Sequence, residues 1–210
     1  MFRNGFEENG GIIMSDTVTD CSETNKQHKD ALRTQIEDAY GKIMYTYVAH
    51  QKMLNRLRKW ETRLKIAQIA LSAISAVGIV GTLFSNHEFV AKISSVFAVL
   101  LLGLNLYTKE FRIAEDMSRH KTTVDGLWSV IQDYLSLLTD FPALTNADIK
   151  LQRDKLKNRV DEIYRVAPRT DKQSYAEAQD ALKRQEEQFF NPGEIDNMLP
   201  AHLRRGNANR

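Results

Sequence analysis

Residues 66–107 read IAQIALSAISAVGIVGTLF from Ile66 to Phe84, SNHE from Ser85 to Glu88, and FVAKISSVFAVLLLGLNLY from Phe89 to Tyr107. Each apolar run is 19 residues long. At about 1.5 Å rise per residue, a helix of that length covers the roughly 30 Å hydrocarbon layer of a bilayer. Two adjacent runs joined by four polar residues predict a transmembrane helical hairpin with spans at about 66–84 and 89–107 and a turn at Ser85–Glu88. The spans must be helices, because two segments cannot close a barrel and lipid offers no partner to a free backbone group. The alternative is a pair of buried helices at the centre of a large globular core. The remaining chain suits that poorly, since its helical segments are charge-rich with one apolar stripe each.

Composition conceals the hairpin: charged residues make up 27% and mean hydropathy is −0.42 because most of the chain lies outside it. The net charge of +2 matters less than where the cations sit. Arg56, Arg58, Lys59, Arg63 and Lys65 precede the first run; Lys109, Arg112, Arg119 and Lys121 follow the second. The positive-inside rule then places both termini in the cytoplasm of a multi-pass protein, with the turn on the far side. These cations lack interleaved aromatic platforms, so they fit a membrane surface and direct nucleic-acid binding is not expected. Lys92 lies one turn into the second run. Its stem can carry the ammonium to the far interface, with Glu88 four residues earlier as helical partner, or it can set the charge at the outer mouth of a pore.

Residues 1–28 are rich in Gly, Asn, Ser and Thr and read as a disordered leader without a secretory pattern, with Met1 or Met14 as the start. Cys21 is the only cysteine, which excludes an intrachain disulfide or a cysteine-based metal site. From about Lys29 to Lys65 the positions Leu32, Ile36, Ala39, Ile43, His50, Met53, Leu57, Trp60 and Leu64 keep steps of three and four, the pattern of a helical seam. His50 on that seam reads as a buried, hydrogen-bonded histidine before a metal ligand. After the second run the pattern continues to Phe141-Pro142, through Tyr107, Phe111, Ala114 and Met117 and then Val124, Leu127, Ile131, Tyr134 and Leu138, with a register slip at Arg119–Lys121. The hairpin returns both helices to one membrane face, so they should pair antiparallel in the cytoplasm. Beyond Pro142, a helix capped at Asn146 carries Ile149, Leu156, Val160, Ile163 and Ala167, and Pro168 ends it. Another runs from about Asp171 to Phe189, with Tyr175, Ala178, Leu182 and Phe189 on one side. Glu194–Leu199 adds a short turn, and 201–210 is a basic tail. The predicted fold is all-α: one helical domain at 29–200, with a two-span hairpin, long cytoplasmic extensions and two further C-terminal helices.

Phosphate-binding glycine loops, HExxH, GxSxG and zinc-spaced Cys/His pairs do not occur, which argues against an enzyme and calls for no cofactor or metal. The chemistry that remains is inside the spans. Gln68, Ser72, Ser75, Ile79 and Thr82 share one helical face; Ser94, Ala98, Leu101, Asn105 and Thr108 form a comparable stripe. Small and hydroxylated residues pack helices closely in lipid, and Gly78 and Gly81 fit that use. The same stripes can instead line water in an oligomer, with Ile79 or Leu101 as a constriction that opens by wetting. A pore then requires a homo-oligomer, since two spans cannot enclose water.

A cytoplasmic helix entering a short two-span hairpin, a long helix leaving it, and the tail SYAEAQDALKRQEEQFFNPGEIDNMLP (Ser174–Pro200) together resemble the SLATT family, the SMODS- and SLOG-associating two-transmembrane effectors of bacteria. The likeness covers roughly residues 28–200 and rests on architecture. It implies an inner-membrane effector of antiviral defence that oligomerises into a membrane-disrupting pore and arrests or kills the infected cell. The trigger it implies is a partner, either a nucleotide-signalling enzyme with its sensor or a reverse transcriptase. The other readings are a membrane-anchored helical scaffold without pore activity and a soluble helical regulator.

Overall fold

The computed structural model describes residues 10–84, 88–185, 187, 188, 190, 194–198 and 200. Among these, every regular element is a helix: α1 (Gly10–Phe84), α2 (Glu88–Glu110), α3 (Ile113–Asp140), a single 3₁₀ turn (Phe141–Ala143), α4 (Asn146–Val166), α5 (Lys172–Lys183) and α6 (Glu194–Met198). α1 has 75 residues, about 110 Å at 1.5 Å per residue. No proline falls within it, and an established helix extends at little cost, so residues 10–28, expected in a disordered leader, continue α1. The side chain of Cys21, the turn Ser85–His87 and the tail 201–210 lie outside the described residues.

α1 pairs antiparallel with everything that leaves the turn. Gly78 faces Ser94, Gln68 faces Asn105, His50 faces His120, Tyr47 faces Trp128, and Lys29 reaches the carbonyls of Pro142 and Leu144. As one number falls the other rises by a similar amount, so α2 and α3 together form one partner along the length of α1. The expected pairing of incoming and outgoing helices is present, with one correction. The outgoing helix breaks at Phe111–Arg112, not at Arg119–Lys121, and Arg112 is non-helical at φ −72°, ψ 57°. Register explains the break. Leu101 and Thr108 face α1, and the same seven-residue rhythm would next present Glu115 and Thr122, which are exposed; α3 instead buries His120, Thr123, Val124 and Leu127. The break absorbs the difference. It also leaves Tyr107 and Phe111 exposed, together with Trp60 on α1, all three of which had been expected on the seam.

The core lies at the end of this pairing away from the apolar runs. Ile36, Val48, Leu127, Val130, Ile131 and Ile149 have no or almost no exposed surface, and α4 and α5 close over them with Leu156, Val160, Ala178 and Ala181. Thr145, and not Asn146, caps α4, its hydroxyl accepting from the Asp148 amide at 3.2 Å. α5 ends at Lys183 rather than near Phe189, and Tyr175 points outward while Ser174 and Ala178 turn in.

His50 and His120, 3% and 2% exposed, meet Nδ1 to Nδ1 at 2.8 Å between α1 and α3. Only one nitrogen can donate, so the pair requires complementary neutral tautomers or a single shared proton. Burial, and next the neighbouring His120, lower the His50 pKa to about 4. Burial likewise lowers that of His120, opposed by Asp116 and Asp171 and assisted by Arg119. A histidine held neutral when folded but free to protonate when unfolded makes stability rise with pH across the interval between its two pKa values. For His50 that stability is complete above about 6.5 and declines as pH falls towards about 4.

Truncating Leu127, which is fully buried, to Ala should lower stability by about 2–5 kcal/mol in denaturant unfolding of the detergent-solubilised protein. A loss within the ±0.5 kcal/mol typical of surface positions would contradict this core. Unfolding followed from pH 7 to pH 4.5 should show a decline that is much shallower in a His50→Leu/His120→Leu chain. An unchanged decline would locate the titrating groups elsewhere.

Candidate functional site

The stripes singled out in the sequence meet at the seam between α1 and α2. On α1, Ser75 and Gly78 are buried and Gln68 is half-buried; on α2, Ser94 is buried and Leu101 and Thr108 are half-buried. Gln68 Nε2 donates to Asn105 Oδ1 at 3.1 Å and to Thr108 Oγ1 at 2.9 Å, closing the core-facing end of the seam with an amide and a hydroxyl. A Cβ placed on Gly78 would fall 1.6 Å from Ser94 Oγ and 2.6 Å from Ser94 Cβ. Rotating the serine relieves only the first contact, so any residue but glycine forces the helices apart. Gly78 is therefore where the two backbones approach most closely among the glycines, and its tolerance for contact is what the seam uses.

Ser72 lies outside this seam and is exposed. Lys92 is also exposed, one turn into α2; the Glu88 side chain expected beside it, and those of Ile79 and Thr82, lie outside the described residues. Ser75 Oγ is buried and has no hydrogen-bond partner. An unsatisfied buried hydroxyl costs about 1–3 kcal/mol, so the closed seam holds one group that water would stabilise.

Away from the seam the two apolar runs expose large aliphatic side chains. Ile66, Ile69, Val77 and Val80 on α1 and Val96, Val99, Leu102 and Leu106 on α2 are each more than half exposed. Contiguous apolar surface of this kind marks contact with lipid or with another protein. Within the described residues one stretch, Ala91–Ala143, contains a window long and apolar enough to cross a membrane by length and composition.

Toward the core, about 15 Å along α1 from the apolar face at 1.5 Å per residue, Arg56 grips the start of α5. Its Nη2 donates to Asp171 Oδ2 and to Ser174 Oγ (3.0 Å), and Nη1, buried without a hydrogen bond, lies 3.8 Å from Glu177 Oε1. Asp171 also caps α5, accepting from the Ser174 amide at 2.8 Å. The Arg56 hydrogen bond first, and then the Ser174 amide, hold the Asp171 carboxyl well below the usual carboxylate range. One turn earlier on α1, Lys52 Nζ bonds both oxygens of Glu187 at 2.8 and 2.9 Å. α5 and the segment after it are thus latched to the part of α1 that leads into the apolar hairpin. Arg56 read in the sequence as one of a row of flanking cations. Its true partners lie more than a hundred residues away, which spacing alone does not reveal.

Residues 32–194 match the family model described as SMODS and SLOG-associating 2TM effector domain family 4. No curated protein and no solved structure matches the chain. The match covers most of the chain, including the hairpin, the α1–α3 pairing and the α5 latch: the protein belongs to the SLATT family of two-transmembrane effector domains, which serve defence systems associated with SMODS and SLOG partners.

Proposed function

We propose that the protein is the membrane effector of a bacterial anti-phage or conflict system, seated in the inner membrane by spans at about 66–84 and 89–107 with both termini in the cytoplasm. At rest, the polar stripes pack against each other within one hairpin. A partner's signal, from a nucleotide-signalling enzyme or a reverse transcriptase, acts on the cytoplasmic helices. Hairpins of several copies then part and regroup, so that Gln68, Ser72, Ser75, Thr82, Ser94, Asn105 and Thr108 line water, with Ile79 or Leu101 as the constriction and Lys92 at the outer mouth. A signal can drive this only by binding the open arrangement more tightly than the closed one.

The observation that carries the reading is Ser75. Its hydroxyl is buried without a partner beside the Gly78–Ser94 contact, so the closed state bears a penalty that a hydrated lumen removes. The same packing also favours a second reading, in which the seam is a permanent weld and the hairpin only anchors a helical scaffold. The two differ in whether the seam opens.

Purified protein reconstituted in dye-loaded vesicles separates them. Gly78→Ala, which forces α1 from α2, should leak dye without any partner, whereas wild type should not. Ser75→Ala relieves the closed state of about 1 kcal/mol or more and should lower leakage of the Gly78→Ala chain roughly fivefold or more. A Gly78→Ala chain that inserts into vesicles and stays tight would favour the scaffold.

A further inference from the structure

The break between α2 and α3 opens a cleft of about 470 Å³ against α1. Its aromatic wall is Trp60, Tyr107 and Phe111, 45%, 39% and 55% exposed, with the last two rings 4.4 Å apart. Its polar wall carries two guanidiniums, Arg112 and Arg119, and three carboxylates, Glu110, Glu115 and Asp116. Arg112 Nε pairs with Glu115 Oε2 at 2.8 Å, and Glu110, Asp116 and Arg119 complete the polar lining. On one side of the cleft lie the exposed apolar residues Ile66, Ile69, Leu102 and Leu106; on the other lies the packed core around His50 and His120.

We propose that this cleft is a binding site for a zwitterionic phospholipid whose headgroup carries a primary ammonium, that is, phosphatidylethanolamine. The inference rests on the membrane reading given above. Aromatic rings at the boundary between apolar and water-facing surface stand at headgroup depth. An anionic headgroup would meet three carboxylates against two guanidiniums and gain little. A headgroup with both charges satisfies both walls: its phosphodiester faces Arg112 and Arg119, and its ammonium faces Glu110 and Asp116 beside the aromatic faces. A primary ammonium donates three hydrogen bonds to those carboxylates, which a quaternary one cannot. The acyl chains then follow the exposed faces of Leu102 and Leu106. The cleft exists only because the outgoing helix is broken, so the lipid sits at the joint between the span and the cytoplasmic core.

Trp60 reports on the site. The chain has two tryptophans, and Trp128→Phe leaves Trp60 alone while keeping an aromatic ring against Tyr47. In this background, full-length protein in detergent is titrated with dihexanoyl phosphatidylethanolamine, phosphatidylcholine and phosphatidylglycerol. The expected result is a saturating change in Trp60 emission with phosphatidylethanolamine, at a half-saturation roughly tenfold below the other two. Glu110→Gln/Asp116→Asn should abolish that preference without altering thermal unfolding. Equal or unsaturable responses to the three lipids, or a double variant that keeps the preference, would overturn the site. Flotation with phosphatidylglycerol-only vesicles tests the underlying reading separately. A chain that floats there yet shows no headgroup preference loses only the lipid site, whereas a chain that floats with no vesicle loses the membrane reading.

Discussion

The structure depends on one unbroken helix and the partner that runs back along it. α1 passes from the helical core to the end of the first apolar run without a proline or a break, and α2 and α3 in turn face it along that length. Because an α-helix is stiff over this distance, a change in packing at His50 or Arg56 cannot be absorbed locally in α1. Among the described residues, the interruption along this pair is the break at Phe111–Arg112 on the returning side. Rigidity on one rod and a joint on the other are the mechanical elements that the proposed signalling from the helical core to the apolar hairpin would use.

The helical core and the hairpin seam are held by different physics. The core is a water-driven burial of Ile36, Leu127, Ile131 and Ile149, with the His50–His120 bond as its polar insert. The seam gains no hydrophobic drive where lipid surrounds it; close approach at Gly78 and the Gln68 hydrogen bonds must suffice. The seam is therefore the weaker of the two. The latch of α5 onto Arg56, and of Glu187 beyond it onto Lys52, lies between them, so the C-terminal part of the chain is tied directly to α1.

Much of this was legible in the sequence because helical periodicity is a local property. The positions of Ile36, Ile43, His50, Leu127, Ile131 and Tyr134 followed from spacing, as did the partner helices of α1. His50 was readable as a bonded core histidine, but His120 was hidden, because it falls where the outgoing pattern changes phase. The break at Phe111–Arg112 carries no Gly or Pro and arises from a mismatch between two seams, which neither seam shows by itself. The caps of α4 and α5, Thr145 and Asp171, stand one residue before the helices they start, a distinction that side-chain hydrogen bonds make and periodicity does not. Within the stripes, spacing grouped Ser72 with Ser75; only the rotation of α1 against α2 puts one outside the seam and the other inside.

The central claim is that lipid surrounds this hairpin and that its polar seam is closed at rest. Replacing Cys21 with Ser removes the sole native thiol, and single cysteines are then introduced by Ser72→Cys, Ser75→Cys and Arg184→Cys, the last at a side chain 84% exposed outside the apolar hairpin. Labelling is done with a charged, water-soluble maleimide on membranes open to both faces. The account predicts rapid reaction at Arg184→Cys and none at the other two, Ser72→Cys being covered by lipid and Ser75→Cys by α2, since a thiol away from water does not form the reactive thiolate. Labelling of Ser72→Cys at the rate of Arg184→Cys would mean that water, not lipid, bathes α1, and would contradict it.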